Sequence, residues 1–184
     1  MTRTRFLNLL VIALIGLSVV GAAHATEAPV SRTPSHDAEL GKATFAGGCF
    51  WCMEEVFEQV DGVVSVVSGY TGGQKKNPTY QEVSHGGTGH AEAVEVLYDP
   101  KQVTYRQLLD TFWRNIDPTT ADRQFCDSGD QYRPAIFYHD ETQKRLAEAS
   151  RQQVETTKPF NGPILTEISA ATTFYTAEDY HQDF

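Results

Sequence analysis

The chain has 184 residues, 40% hydrophobic and 21% charged, with 24 acidic against 15 basic side chains and a formal charge of −9. That acidity argues against nucleic-acid binding, which relies on Lys and Arg to neutralise phosphates. Three cysteines are too few for a disulfide scaffold, and the length suits one domain with a real core.

The N-terminus reads as an export signal over residues 1–25. Arg3 and Arg5 give a positive start, Phe6 to Val20 is almost wholly apolar, and Ala23-His24-Ala25 is a small-x-small cleavage site. The apolar run is shorter than the roughly 20 residues a membrane helix needs, so cleavage after Ala25 is expected, with an uncleaved N-terminal anchor as the alternative. The expected location is periplasmic or secreted. Residues 26–40, with Pro29 and Pro34, read as a flexible linker. Beyond residue 25 the chain holds 13 basic and 24 acidic groups, net −11. An odd cysteine count in an exported protein leaves at least one thiol free, reactive or paired with another chain.

The folded part begins with a strand at Lys42–Ala46, a turn at Gly47-Gly48, and a helix from Cys49 whose apolar stripe is Phe50, Met53, Phe57 and Val60. A strand at Val63–Tyr70 follows, then a glycine-rich loop from Thr71 to Gly89 and a strand at His90–Tyr98. Thr104 and Gln107 form a capping-box pattern ahead of a helix to Ile116, which Asp117-Pro118 stops. A polar loop, Thr119–Arg133, leads to a strand at Ala135–Tyr138. Asp140 caps a mostly solvated helix to about Thr156, and Ile164–Ile168 is the last strand. The order β-α-β-β-α-β-α-β predicts an α+β two-layer sandwich. Its expected form is a ferredoxin-like core, a mainly antiparallel mixed sheet with helices packed on it.

Reactive sulfur is the chemistry this pattern favours. Strand, double glycine and helix place the Cys49 thiol at a helix N-terminus, where unpaired N–H groups and the macrodipole favour a thiolate. Glu54 and Glu55 oppose that effect, and a buried structural cysteine is the plainer reading. Cys52 completes a Cys-x-x-Cys pair able to cycle between dithiol and disulfide, or to form a permanent bridge. Without a second such pair or a His-x-x-x-His spacing, no metal is expected. Cys126 lies in a polar loop between Phe125 and Asp127. In an alternating strand Glu92 shares a face with Val94, Val96 and Tyr98, so burial should raise its pKa and make it a general acid. An edge glutamate reaching water is the alternative. Tyr80 and Tyr132, in the two polar loops, are placed to donate hydrogen bonds to a developing oxyanion or simply to cover apolar surface. His85, His90 and His181 read as capping or surface residues.

Several ordered motifs carry a resemblance. Gly-Gly-Cys-Phe-Trp-Cys at 47–52, Gly-Tyr-Thr-Gly-Gly at 69–73, Asn-Pro-Thr-Tyr at 77–80 and Gly-His-Ala-Glu-Ala-Val at 89–94 resemble the A-type peptide methionine sulfoxide reductases. So do Phe-Cys-Asp at 125–127, Gln-Tyr-Arg at 131–133 and Ala-Glu-Asp-Tyr-His-Gln at 177–182. The resemblance implies a catalytic domain over residues 41–184 that reduces the S epimer of methionine sulfoxide in proteins, without a cofactor. It implies Cys49 as nucleophile, Phe50 and Trp51 as walls for the substrate methyl group, and Glu92 as proton donor to the sulfoxide oxygen. Tyr80 and Tyr132 would donate hydrogen bonds, and Asp127 would line the same pocket. A sulfenic acid on Cys49 would condense with a second thiol, and thioredoxin or a thioredoxin-like partner would reduce the disulfide. Many family members keep the resolving cysteine in a C-terminal tail; here no cysteine follows Cys126, so an intramolecular resolving role falls to Cys52, favoured by proximity, or to Cys126, a thiol from another molecule being the alternative. A monomer is expected.

Two other classes fit parts of the pattern. A general thiol–disulfide oxidoreductase would use the Cys-x-x-Cys pair but not Glu92. A secreted binding module would keep a Cys49–Cys52 bridge for structure alone.

Overall fold

In a computed structural model the structure describes residues 39–183. The export signal at 1–25 and all of the linker up to residue 38 lie outside them. Runs of residues buried on both faces build the strands β1 (Gly41–Ala46), β2 (Val63–Thr71) and β3 (Ala91–Tyr98), with β6 (Ala135–Tyr138) closing the central set. These four pair antiparallel in the order β6-β1-β3-β2, the ferredoxin-like arrangement expected from the element order. Two edge strands extend it. Strand β7 (Glu167–Ala170) runs parallel to β6, and β8 (Tyr175–Thr176) runs antiparallel to β2.

Helices α1 (Phe50–Glu58) and α3 (Tyr105–Arg114) bury their apolar stripes against one face of the sheet. Phe45 of β1 is the hub: its ring stacks on Phe57 at 4.9 Å, Phe112 at 5.2 Å and Tyr105 at 6.1 Å. The capping box at Thr104 and Gln107 forms as predicted, each side chain closing on the other's backbone N–H. Helix α4 (Glu141–Thr157) starts at Asp140, whose carboxylate accepts from Thr142 and Gln143 N–H, and it packs on α3, where Trp113 Nε1–H donates to Ser150 Oγ at 2.9 Å.

Three expectations need correction. The loop from Thr71 to Gly89 contains a short helix, α2 (Tyr80–Ser84), set by a capping box between Thr79 and Glu82. The loop from Thr119 to Arg133 contains the hairpin β4 (Arg123–Gln124) and β5 (Asp127–Ser128) and a 3-10 turn at Asp130–Tyr132. The last long strand begins at Glu167 rather than Ile164, because pairing with β6 sets its register and Pro163 precedes the apolar pair. Among the described residues no helix is long and apolar enough to cross a membrane.

Candidate active site

The site forms where β1 turns into α1. Gly48 adopts φ +93°, and a Cβ there would come within 2.6 Å of Gln124 Cβ, so only glycine lets β4 close on this turn. Gln124 is itself locked, accepting from Asp117 N–H at 2.7 Å and donating to Asp117 O at 2.8 Å. The turn delivers Cys49 to the N-cap of α1, half-buried, with φ −56° and ψ 122°.

Glu92 points inward with Val94 and Val96, as the strand phase predicted, and is 2% exposed. Its Oε2 accepts the Phe50 N–H at 3.2 Å, which ties the carboxyl to the first turn of α1. Burial pushes Glu92 up to about 7; the Phe50 N–H resists that shift and the nearby Asp127 charge adds to it.

The thiol behaves differently from the expectation. Burial pushes Cys49 up to about 11, and the Glu92 and Cys52 charges reinforce the rise. The backbone N–H groups of Cys52 and Trp51 pull it back without forming a capping hydrogen bond. The helix N-terminus is present, but desolvation and a neighbouring carboxylate outweigh it. At rest Cys49 is a thiol.

An aromatic wall closes the site. Phe50 is 1% exposed and lies 6.0 Å from Trp51, 6.0 Å from Tyr70 and 6.4 Å from Tyr80, centroid to centroid. Tyr80 begins α2, where its backbone N–H donates to Glu178 Oε1 at 2.9 Å. Tyr132 ends the 3-10 turn that Gln131 pins to α2 through Ser84 O and Arg133 pins to Gly89 O. Burial raises both phenols, Tyr132 to about 12, and the charges of Glu92 and Asp127 raise both further. The charges of Glu92 and Asp127 act on Tyr80 and Tyr132, and that of Glu92 on Cys49, so these five side chains lie near one another. Cys52, at the third position of α1, and Cys126, at the hairpin tip, are both exposed and unbridged.

Further residues at this centre take roles that no local pattern in the sequence indicates. Glu178 bridges Tyr80 N–H and Tyr70 OH, each at 2.9 Å. Glu54, 2% exposed, accepts from Ser68 Oγ and from Asp183 N–H. His90 and His181 are buried at 1% and 2% exposure, against the surface reading; only His85 caps as expected, at the end of α2. His90 accepts from Gly73 N–H and donates to Lys75 O, so it fastens the glycine-rich loop.

The fold and site thus define an α+β protein whose cysteine, at a helix start, lies near a buried carboxyl that titrates near 7 and an aromatic wall. Residues 41–184 match the family model described as peptide methionine sulfoxide reductase. The peptide methionine sulfoxide reductase MsrA of Listeria innocua is 54% identical over 145 residues, covering 79% of this chain and 82% of that one. The MsrA of Streptococcus uberis is also 54% identical, covering 79% and 86%. Among solved structures, reduced Mxr1 from Saccharomyces cerevisiae superposes with a TM-score of 0.71 at 34% identity, covering 77% of this chain and 82% of that one. Methionine sulfoxide reductase A of Corynebacterium diphtheriae gives 0.69 at 35% identity, covering 78% and 72%. Mxr1 in complex with Trx2 gives 0.55 at 26% identity, covering 79% and 86%. The chain belongs to the peptide methionine sulfoxide reductase family and is of its A type, an oxidoreductase that reduces methionine sulfoxide.

Proposed function

We propose that Cys49 and Glu92 together carry the reduction, with Phe50 and Trp51 holding the substrate methyl group and Tyr80, Tyr132 and Asp127 orienting the sulfoxide. The observation that carries this reading is the buried Glu92 carboxyl, held beside the Cys49 turn by the Phe50 N–H and titrating near neutrality. A sulfoxide oxygen leaves sulfur only when it is protonated. Glu92 takes the thiol proton and delivers it to that oxygen as Cys49 Sγ attacks the substrate sulfur. Attack forms a Cys49 Sγ–S bond to the substrate; the oxygen, now a hydroxyl, passes to the Cys49 sulfur as that bond and the substrate S–O bond break, so the sulfoxide gains two electrons and the thiol loses two. Methionine leaves and Cys49 is a sulfenic acid.

Cys52 then attacks the Cys49 sulfur. An S–S bond forms, the S–O bond breaks, and water carries away the hydroxyl with the Cys52 proton. The geometry supports Cys52 over Cys126. Cys49 is the N-cap, outside the helical dihedrals, and Cys52 is at the third helical position. In a capping box each of those two side chains reaches the other residue's backbone N–H, so both lean across the first turn and less of it must unwind than for two cysteines inside a helix. A thioredoxin-like dithiol reduces the disulfide by exchange, a partner suggested by the yeast relative's complex with Trx2.

The first test is turnover of a dabsylated Met-(S)-sulfoxide peptide with dithiothreitol. Wild type is expected to reduce it, and Cys49→Ser to lose at least about 1,000-fold, as nucleophile removal commonly does. A Cys49→Ser variant with wild-type turnover overturns the assignment.

We further propose that residues 1–25 direct export and that the enzyme works in the periplasm or as a secreted protein. The charged start, apolar run and Ala23-His24-Ala25 support it. Mass spectrometry of the protein from an exporting host is expected to find Thr26 at the N-terminus. An intact Met1 in the cytoplasmic fraction refutes export.

A further inference from the structure

The segment from β8 onward is tied onto the site at several points. Ala177 N–H donates to Ser68 O at 2.9 Å, and Gln182 both accepts from Ser68 N–H and donates to Ser68 O, each at 3.0 Å. The Asp183 N–H reaches Glu54 on α1, two residues beyond Cys52. Glu178 holds Tyr70 and the first residue of α2. Between these ties His181 is pressed into the aromatic wall, with its ring centroid 5.1 Å from Phe50, 5.3 Å from Trp51 and 4.4 Å from Tyr80.

Neither ring nitrogen of His181 has a hydrogen-bond partner among the described residues, although the residue is 2% exposed. Burying an imidazole without a polar partner is unfavourable. The anchors on both sides enforce it nonetheless, so the ring serves as a shape. Burial also holds it below the ordinary imidazole pKa, against the opposing pull of Glu178, and keeps it uncharged. Tyr180, 4.2 Å away and largely exposed, covers its outer side.

We propose that His181 is a positioning residue of the sulfoxide pocket, whose ring sets the spacing between the Phe50–Trp51 wall and Tyr80 and thereby the fit of the substrate methyl group. It touches no reacting atom and acts through those three side chains. Removing the ring leaves a void between α1 and α2 into which the wall relaxes. The inference rests on Phe50 and Trp51 forming that wall.

The test compares wild type, His181→Ala and His181→Phe in the dabsyl-peptide assay, with thermal melts and with Trp51 emission read in a Trp113→Phe background. His181→Ala is expected to raise KM about tenfold with kcat within about threefold, the mark of lost binding rather than lost chemistry, and to shift Trp51 emission to the red. His181→Phe, which restores a ring without nitrogens, is expected to keep KM within about twofold of wild type. Three results overturn the proposal: an unchanged KM in His181→Ala, a loss confined to kcat, or a folded His181→Phe as impaired in KM as the alanine variant. If the alanine variant does not fold, the phenylalanine variant decides alone, and a raised KM there overturns it. Phe50→Ala separates the two readings: if it leaves KM unchanged, the methyl-wall assignment fails, whatever His181 does.

Discussion

Replacing Glu92 by Gln is expected to abolish most turnover while making Cys49 more reactive toward simple alkylating agents. The two effects run in opposite directions because Glu92 has two physical roles. As proton carrier it supplies a factor of about 100 to 10,000, typical of a positioned general acid, and Gln has no proton to deliver at the sulfoxide oxygen. As a neighbouring carboxylate it raises the Cys49 thiol, and that repulsion disappears in the variant. Iodoacetamide labelling of Cys49 across pH 7–10 should therefore midpoint at lower pH in Glu92→Gln than in wild type. In wild type the pair must share one proton, so kcat/KM for the first turnover should rise to a plateau above about 7 and fall above about 11. The lower limb should vanish in the variant. A variant that keeps wild-type turnover removes Glu92 from the chemistry.

Stability should respond too. A carboxyl raised from 4.5 to about 7 binds its proton more tightly in the folded chain than in the unfolded one. That benefit is present below 4.5 and is lost as pH rises through about 7, where the folded chain must carry a buried charge. The full difference corresponds to up to about 3 kcal/mol. Gln keeps the oxygen that accepts the Phe50 N–H and carries no charge. Urea unfolding should accordingly find Glu92→Gln more stable than wild type at pH 8, with the gap narrowing toward pH 5.

Cys52→Ser is expected to release one methionine per enzyme at the wild-type rate and then stop. Without the neighbouring thiol the Cys49 sulfenic acid persists, and dimedone should label it. Steady-state turnover with a thioredoxin-type reductant should fall by at least about 100-fold, since exchange needs a disulfide to attack. Cys126→Ser should stay within about threefold of wild type, because its thiol sits at an exposed hairpin tip outside the N-cap geometry. Tandem mass spectrometry after one turnover should find a Cys49–Cys52 linkage. A Cys49–Cys126 linkage would reassign the resolving role.

Much of the architecture was legible because the apolar periods are clean. Strand phase puts Glu92 on the face of Val94 and Val96, but Ala91 to Val94 are all buried, so phase alone leaves open whether its carboxyl reaches water. Thr104 with Gln107, and Asp140 before α4, announced their helices by capping chemistry. The same capping signature stands at Thr79 and Glu82, but it lies in a segment whose five glycines from Gly72 to Gly89 give it the composition of a loop. There a local rule was present but outvoted by composition. The helix start at Cys49 is a local feature of the sequence but its electrical consequence is not, since desolvation and the charge of a residue 43 positions away outweigh a local dipole.

By itself the sequence determined the element order, the cysteine at the strand–helix turn, the strand face that Glu92 shares with Val94 and Val96 and, through its ordered motifs, the family. Those follow from near neighbours along the chain: periodicity, caps and turn residues. Only the tertiary structure decided that Cys49 rests as a thiol, that Glu178 holds two tyrosines, and that His181 is buried against Phe50, Trp51 and Tyr80. These depend on groups roughly a hundred or more residues apart, or on how deeply a side chain is buried. Burial depth belongs to the packed sheet and its helices, not to any one stretch of chain.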